Sequence, residues 1–189
     1  MEATIFYLLG FPGVGKYTIA KELSRLTGAR VVDNHYILNP IFGLIEQDGL
    51  APLPPKVWDY CYQVHHAVYG TIRELSPRSW SFVFTNGLVH GDPESESLYR
   101  NVLETARARG SRLVPVRLTC DPAEHLRRIT EPRRRERMKT VNANELEDFS
   151  RLELYRPDHP DTLTLDITAL SPTEAAEAIL AHAATLPSG

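Results

Sequence analysis

The residues best suited to chemistry are a cluster of glycines followed by a lysine. Gly10 to Lys16 reads Gly-Phe-Pro-Gly-Val-Gly-Lys, which matches the G-x-x-x-x-G-K part of the Walker A pattern. Glycines let several backbone N–H groups converge on one phosphate, and the helix that follows adds its positive end. The lysine supplies a full charge for the β- and γ-phosphates. The pattern predicts a nucleotide phosphate loop made of Gly10, Phe11, Pro12, Gly13, Val14, Gly15, Lys16, Tyr17 and Thr18.

The residue after the lysine departs from the pattern. A Ser or Thr normally stands there and ligates Mg²⁺ through its hydroxyl, whereas this chain has Tyr17. A phenol projects too far from the backbone to take that place, and the Thr18 hydroxyl is expected to contact the α-phosphate instead. We therefore expect Mg²⁺ to be held by the nucleotide, by water and by at most one carboxylate.

Strand-like and helix-like segments alternate along the chain and position this loop. The run from Ile5 to Leu9 is apolar throughout, as in a strand buried on both faces, and Gly28 is placed to end the helix after the loop. The alternation predicts an α/β sandwich with a mostly parallel sheet, in which ligands bind beyond the carboxyl ends of the strands. Pro115 suggests a late start or a bulge in the fourth strand. Further strands are predicted at 31–32, 81–85, 113–118 and 162–167, and further helices at about 54–75, 93–109 and 172–185.

With these features in place, the chain resembles the small P-loop kinases grouped around gluconate kinase, shikimate kinase and chloramphenicol phosphotransferase. The likeness rests on the loop of residues 10–18, on Asp33, on Thr85-Asn86, and on Asp121-Pro122 followed by Leu126-Arg127-Arg128. It implies the P-loop NTPase fold, a three-layer α/β/α sandwich with a five-stranded parallel sheet of order 2-3-1-4-5. It also implies a single domain over 1–189, an acceptor-side helical insertion at about 39–76 and a lid at about 126–145.

The resemblance assigns an acceptor site to the polar residues after the second and third strands. In the resembling kinases an acid at the end of the second strand receives or orients the proton of the acceptor hydroxyl, and Asp33 matches it and could also contact Mg²⁺. A cap on the following turn is the alternative for Asp33, and a structural hydrogen bond is the alternative for His35. The third strand ends in Thr-Asn rather than in a Walker B acid, which leaves Asp33 as the main acid. The predicted acceptor-binding residues are Asp33, Asn34, His35, Asn86 and His90.

An arginine-rich run occupies residues 126–137, between the fourth and the last predicted strands. It could be a nucleic-acid patch, a solvated helix or a lid. Its position matches the lid of the resembling kinases, where closing arginines bind phosphate oxygens and exclude water. Arg128 matches the arginine at the root of that lid, and Arg133 or Arg137 could enter the site on closure. The run has no interleaved aromatic residues, which argues against nucleic acid as a partner.

The loop after the last strand, residues 166–170, is where the resembling kinases hold adenine with backbone groups. The sequence contains no Asn-Lys-x-Asp motif for guanine, so ATP is expected rather than GTP. Two other sets of residues offer no metal site. His65 and His66 are helix neighbours that point about 100° apart, and Cys61 and Cys120 have no partner at zinc spacing.

The composition is that of an ordinary globular chain. A length of 189 residues with 42% hydrophobic and 24% charged residues predicts one domain with its own core. The net charge of −3 gives no general reason to expect nucleic-acid or membrane binding, and no run approaches the roughly 20 apolar residues of a membrane span. Two cysteines fit a reducing compartment. We expect a cytoplasmic monomer or homodimer.

These observations predict an ATP-dependent phosphotransferase that uses Mg²⁺ and acts on a hydroxyl of a small molecule. Neutral hydrogen-bonding groups on the acceptor side suit a sugar acid, a polyol or an antibiotic better than a phosphate monoester. Three alternatives stay open at this point. They are a nucleotide or nucleoside kinase, a regulatory nucleotide-binding module with little turnover, and an RNA- or DNA-end kinase. Tyr17 and Asn86 are the residues that favour the regulatory module.

Overall fold

The structure is a computed structural model that describes residues 2–46, 53–131 and 149–187. Strands and helices alternate along the chain, as the sequence predicts. In chain order the elements are β1 (Thr4–Leu9), α1 (Lys16–Thr27), β2 (Arg30–Asp33), α2 (Asn34–Phe42), α3 (Val57–Glu74), β3 (Phe82–Asn86), α4 (Pro93–Arg109), β4 (Arg112–Thr119), α5 (Pro122–Ile129), β5 (Leu163–Asp166) and α6 (Pro172–Thr185).

The five strands form one parallel sheet of order β2-β3-β1-β4-β5, so the predicted order is confirmed. The central strand β1 is buried along its whole length, which explains its uninterrupted apolar sequence. Its side chains alternate between two cores. Phe6 and Leu8 pack with α1 and α6 on one face, whereas Ile5, Tyr7 and Leu9 pack with α3 and α4 on the other. The predicted three-layer α/β/α sandwich is therefore confirmed.

Helix boundaries follow local chemistry at several points. Gly28 ends α1 in the left-handed conformation with φ of 75°, and its N–H bonds to the carbonyl of Ser24. The Asp92 side chain caps α4 by accepting from the backbone N–H of Ser95. Ser171 and Glu174 form a capping box at the start of α6. Each such cap stabilises its helix by about 1 kcal/mol.

The structure differs from the sequence prediction on the acceptor side. Helix α2 begins directly after β2 and was not predicted, because Pro40 lies inside it and removes one backbone donor. Helix α3 begins at Val57 rather than at Pro54. Its buried residues include His65 and Tyr69, while Val64 and Val68, which helical periodicity places on the apolar face, are partly buried and pack against the same core.

Pro115 lies within a continuous β4, opposite Tyr7 of β1. Strand β5 pairs with β4 only from Val116 onward, so β4 has a neighbour on one side alone at the proline. Proline has no backbone N–H to donate to a neighbouring strand, and at this position β4 has no second neighbour that would need one. The strand therefore does not start late at the proline.

Candidate active site

The glycine loop of residues 10–15 joins β1 to the first residue of α1. Gly13 and Gly15 have φ of 94° and 109°, a region that side chains with a Cβ rarely adopt. A Cβ on Gly13 would also lie 2.9 Å from the Cβ of Ile129. The Lys16 Nζ donates to the carbonyl oxygens of Gly10 at 2.5 Å and Phe11 at 3.0 Å, so the lysine lies over the loop. This conformation places its charge where the pattern predicts phosphate.

Two side chains of helix α5 donate hydrogen bonds to the backbone of the phosphate loop, and the sequence analysis did not predict these contacts. The His125 Nε2 donates to the carbonyl oxygen of Pro12 at 2.6 Å, since a carbonyl can only accept. The Arg128 guanidinium donates to the carbonyl of Val14 at 3.1 Å. Both contacts join residues more than 110 positions apart, 113 and 114 respectively, so no local pattern could have predicted them.

Arg128 also reaches the loop that follows β5. It donates to the carbonyl oxygens of Ile167 at 3.1 Å and Thr168 at 3.3 Å, and its Nε donates to Glu124 at 2.6 Å. Hydrogen bonds from Arg127 and Arg128 lower the pKa of Glu124 to about 2, so this carboxylate is charged at neutral pH. Arg128 thus ties the phosphate loop to the expected adenine loop. A direct role in catalysis stays a prediction.

We expect Arg128→Ala to weaken ATP binding and to lower the Tm, because three backbone carbonyls lose a charged donor together. Leaving such groups unpaired costs about 2 kcal/mol in total, which is roughly 4–8 °C for a chain of this size. Arg127→Ala is the matched control, since Arg127 is exposed and pairs only with Glu124 and Glu131 among the described residues. Differential scanning calorimetry and titration with Mg-ATP measure both effects. Equal results for the two variants would contradict the positioning role.

Tyr17, the residue that departs from the Walker A pattern, is directed toward the acceptor side. Its hydroxyl lies 2.7 Å from the hydroxyl of Tyr36 on α2, and the two rings meet edge to face with centroids 5.9 Å apart. The phenol therefore links the start of α1 to α2. This contact agrees with the expectation that Tyr17 does not replace the metal-binding hydroxyl.

We expect Tyr17→Ser to lower the Mg²⁺ concentration that gives half-maximal ATP binding. The gain should be a few-fold and at most roughly 30-fold, because the serine hydroxyl replaces one ordered water, which costs at most about 2 kcal/mol. Tyr17→Phe is the control, since it removes the hydroxyl that bonds to Tyr36, supplies no new oxygen ligand and should leave the Mg²⁺ dependence unchanged. An unchanged value for Tyr17→Ser would show that residue 17 does not occupy the metal-ligand position.

Asp33 is buried at the carboxyl end of β2, with 3% of its surface exposed. It occupies the N-cap position of α2, yet its side chain makes no capping hydrogen bond. Instead it accepts from the hydroxyl of Thr85 at 2.5 Å, and that hydroxyl in turn accepts from the backbone N–H of Asn34 at 3.2 Å. The turn-cap alternative for Asp33 therefore does not describe its side chain.

The structure brings Asn34 and Asn86 together beside Asp33. Their side-chain amides are 3.0 Å apart, and the backbone carbonyl of Asn86 accepts from Gly10 of the phosphate loop at 3.2 Å. The Asn34 amide also lies 3.0 Å from Nε2 of His65, a buried residue of α3 that the sequence analysis did not assign to the site. The only feature of the sequence that could have drawn attention to His65 is its position among the apolar residues of the α3 face.

Two other predicted acceptor residues have different surroundings. His35 lies one residue beyond Asn34, and its Nδ1 is 3.3 Å from the Asn39 side chain. The His90 backbone bonds to the carbonyl of Glu153 at 2.8 Å, and its ring lies 6.2 Å from that of Tyr155. The structure therefore places His90 against the segment that precedes β5, and acceptor binding by either histidine stays a prediction.

The lid is only partly described. Arg133 and Arg137 lie outside the described residues, as does most of the predicted lid at 126–145. The chain is described again at Phe149, whose ring stacks on that of Phe11 with centroids 5.2 Å apart and an interplanar angle of 10°. The segment after the predicted lid thus contacts the phosphate loop directly.

That Mg²⁺ is held mainly by the nucleotide and water stays a prediction. Within residues 2–46, 53–131 and 149–187, no three His, Cys, Asp or Glu side chains form a group that could hold a metal ion. In the sheet register Asp33 pairs with Thr85, and Thr85 pairs with Leu8, two residues before the phosphate loop. No helix within the same ranges has the length and apolar character needed to span a membrane.

Strand β1, the glycine loop and helix α1, together with the parallel sheet, define a P-loop fold. The order of its strands is the one expected for the small kinases. No family model and no curated protein matches the sequence. Solved structures do match. A candidate kinase from Chloroflexus aurantiacus has a TM-score of 0.68 at 13% identity, covering 98% of this chain and 98% of that chain.

Two named kinases have the same fold. Gluconokinase from Sinorhizobium meliloti matches with a TM-score of 0.60 at 14% identity, covering 97% of this chain and 92% of its own. Shikimate kinase from Acinetobacter baumannii, solved with shikimate, matches with a TM-score of 0.59 at 17% identity, covering 98% and 96%. At these identities the likeness concerns the fold. The resemblance to small P-loop kinases is confirmed at that level.

Proposed function

We propose that this protein is an ATP-dependent phosphotransferase that moves the γ-phosphate of ATP to a hydroxyl of a small molecule. The observation that carries the proposal is the buried carboxylate of Asp33, held by Thr85 beside the end of the phosphate loop. A carboxylate buried at this edge of the sheet, with no capping bond to explain it, is suited to a proton transfer.

The glycine loop and Lys16 would hold the β- and γ-phosphates, and Arg128 would keep the loop in register with the adenine loop. Asp33 would orient the acceptor hydroxyl in line with the γ-phosphorus. As the new oxygen–phosphorus bond forms, the bond from the γ-phosphorus to the bridging oxygen breaks and ADP leaves. Asp33 accepts the hydroxyl proton. Mg²⁺, when bound, neutralises phosphate charge, and Asp33 is the residue proposed to contact it, directly or through water.

The acceptor that we propose is a hydroxylated small molecule of the sugar acid, polyol or antibiotic type. The Thr85 hydroxyl donates to Asp33, and the paired amides of Asn34 and Asn86 follow at the ends of the same two strands. Hydroxyl and amide groups of this kind can bind the hydroxyls of an acceptor. The small-molecule kinases among the fold relatives support this class.

The test is incubation of the protein with γ-labelled ATP and pooled sugars, sugar acids, polyols and antibiotics. We expect label to appear in a new organic phosphate above background hydrolysis. Label in nucleotides alone would favour a nucleotide kinase, and tight ATP binding with no transfer to any pool would favour a regulatory module. Either result would overturn the proposal.

A further inference from the structure

His65 lies at one end of a chain of hydrogen-bonding side chains, and the other end of this chain lies beside Asp33. Its ring is 6% exposed, and its Nδ1 lies 3.0 Å from the carbonyl oxygen of Cys61 on the preceding turn of α3. On the other side, Nε2 faces the Asn34 amide, which faces the Asn86 amide, each at 3.0 Å. The chain of polar groups therefore connects the buried face of α3 to the acceptor side of the proposed site.

The partners of His65 determine where its hydrogen lies. A carbonyl oxygen only accepts, so Nδ1 must carry the ring hydrogen. Burial lowers the pKa of His65 from its ordinary value of 6.5, which keeps the ring neutral at pH 7. Nε2 is then an acceptor and requires a donor. The two ends of an amide have the same shape, so this requirement identifies the end of Asn34 that faces the ring as its nitrogen.

The same reasoning extends to Asn86. The structure places Asn34 Oδ1 3.0 Å from both His65 Nε2 and Asn86 Nδ2. Once the Asn34 amide is turned to meet the requirement of His65, its nitrogen gives one hydrogen to His65 and directs the other at the Asn86 amide. Asn86 must therefore turn its oxygen toward Asn34 and carry its nitrogen on the opposite side. A proton on Nε2 of His65 would reverse both amides, so that Asn86 would present its oxygen instead.

We propose that His65 is a positioning residue that makes Asn86 offer an N–H donor, rather than a carbonyl acceptor, to the molecule that receives phosphate. This inference rests on the proposed function. A hydroxyl that accepts from Asn86 keeps its own hydrogen for Asp33, which is the orientation that the transfer needs. An Asn86 oxygen would compete with Asp33 for that hydrogen. The arrangement selects a hydroxyl as the acceptor group.

The groups around the ring are compatible with a neutral histidine. The rings of Tyr62 and Tyr69 lie 6.4 and 5.7 Å away, and burial raises the pKa of both, so neither carries charge near pH 7. Burial also raises the pKa of the Cys61 thiol. From α4, Ser97, Leu98 and Asn101 line the cleft of about 490 Å³ that His65 borders, together with Tyr62, Gln63 and His66 from α3. Asp33 precedes Asn34 and is the carboxylate of the site.

The test is nuclear magnetic resonance of the ¹⁵N-labelled full chain at pH 7, without added ligand. We expect His65 to be neutral with its hydrogen on Nδ1, and a scalar coupling through the hydrogen bond between Nε2 and the Asn34 side-chain nitrogen. The Asn34 amide hydrogens should exchange with solvent more slowly than those of Asn86. A charged ring, a hydrogen on Nε2, or faster exchange at Asn34 than at Asn86 would overturn the proposal.

The variant Asn34→Asp adds a second measurement, the pKa of His65, which should not change if His65 serves only to pack the helix. A carboxylate cannot donate to Nε2, so His65 should become protonated and its pKa should rise above 6.5. His66→Ala is the matched control, because His66 is exposed on the same helix, and its spectrum should keep the His65 signals unchanged. An unshifted His65 titration in Asn34→Asp would contradict the inference. None of these measurements needs turnover, so failure of phosphate transfer would be a separate result.

Discussion

Lys16→Ala is expected to lose most of the affinity for Mg-ATP while the fold stays intact. The lysine lies over the glycine loop and bonds to the carbonyls of Gly10 and Phe11, outside the apolar core, and we predict that its charge binds phosphate. Removing one partner of a hydrogen-bonded charge pair costs about 2–5 kcal/mol, which is roughly 30-fold to 5,000-fold in Kd. Isothermal titration with Mg-ATP measures the loss.

Lys21→Ala is the control for this experiment. Lys21 is exposed on the same helix, and its Nζ lies 5.9 Å from the centre of the Tyr17 ring, so the variant removes the same charge away from the loop. It should bind Mg-ATP as the wild type does. Circular dichroism establishes that both variants fold. Unchanged affinity in folded Lys16→Ala would contradict the assignment of the nucleotide site.

Asp33→Asn is expected to retain ATP binding within a few-fold and to lower the rate of transfer by roughly 10²-fold to 10⁴-fold, as the loss of a positioned acid–base group does. The substitution keeps the shape of the side chain and its contact with Thr85 but removes the basic oxygen. The effect should fall on kcat, because the carboxylate acts when the hydroxyl loses its proton.

Asp59→Asn is the control for Asp33→Asn, since Asp59 is an exposed aspartate in the first turn of α3. Single-turnover transfer from γ-labelled ATP, with an acceptor found in the pooled screen, measures both variants. If Asp33→Asn transfers phosphate at the wild-type rate, Asp33 is a structural group held by Thr85 and another base must be sought.

The parts of the fold that the sequence predicted are those encoded locally. The phosphate loop and the ends of α1, α4 and α6 depend on glycines with positive φ or on capping side chains within four residues, so their types and spacing were sufficient. The sheet order followed from the resemblance rather than from the residues. Helix α2 was not predicted, because it begins with polar residues and contains Pro40, and its apolar residues repeat too weakly to indicate a helix.

The parts of the site that could not be predicted depend on contacts between distant residues. Asp33, Asn34 and Asn86 were identified because strand ends converge in a parallel sheet. His65 meets Asn34 across 31 residues, and His125 meets Pro12 across 113. Helical periodicity indicated the apolar face of α3 from residues such as Val64 and Val68, and it gave no reason to assign His65 to the site. Only the packing of α3 and α5 reveals these partners.

The measurement that tests the central claim most directly is the fate of the γ-phosphate in a single turnover. Wild type and Asp33→Asn are each mixed in excess over γ-labelled ATP with an acceptor from the screen, and the products are separated. The account predicts that the wild type moves the label to an organic phosphate ester, whereas Asp33→Asn binds the same ATP and leaves it intact. Label released only as inorganic phosphate, at equal rates in both proteins, would contradict it.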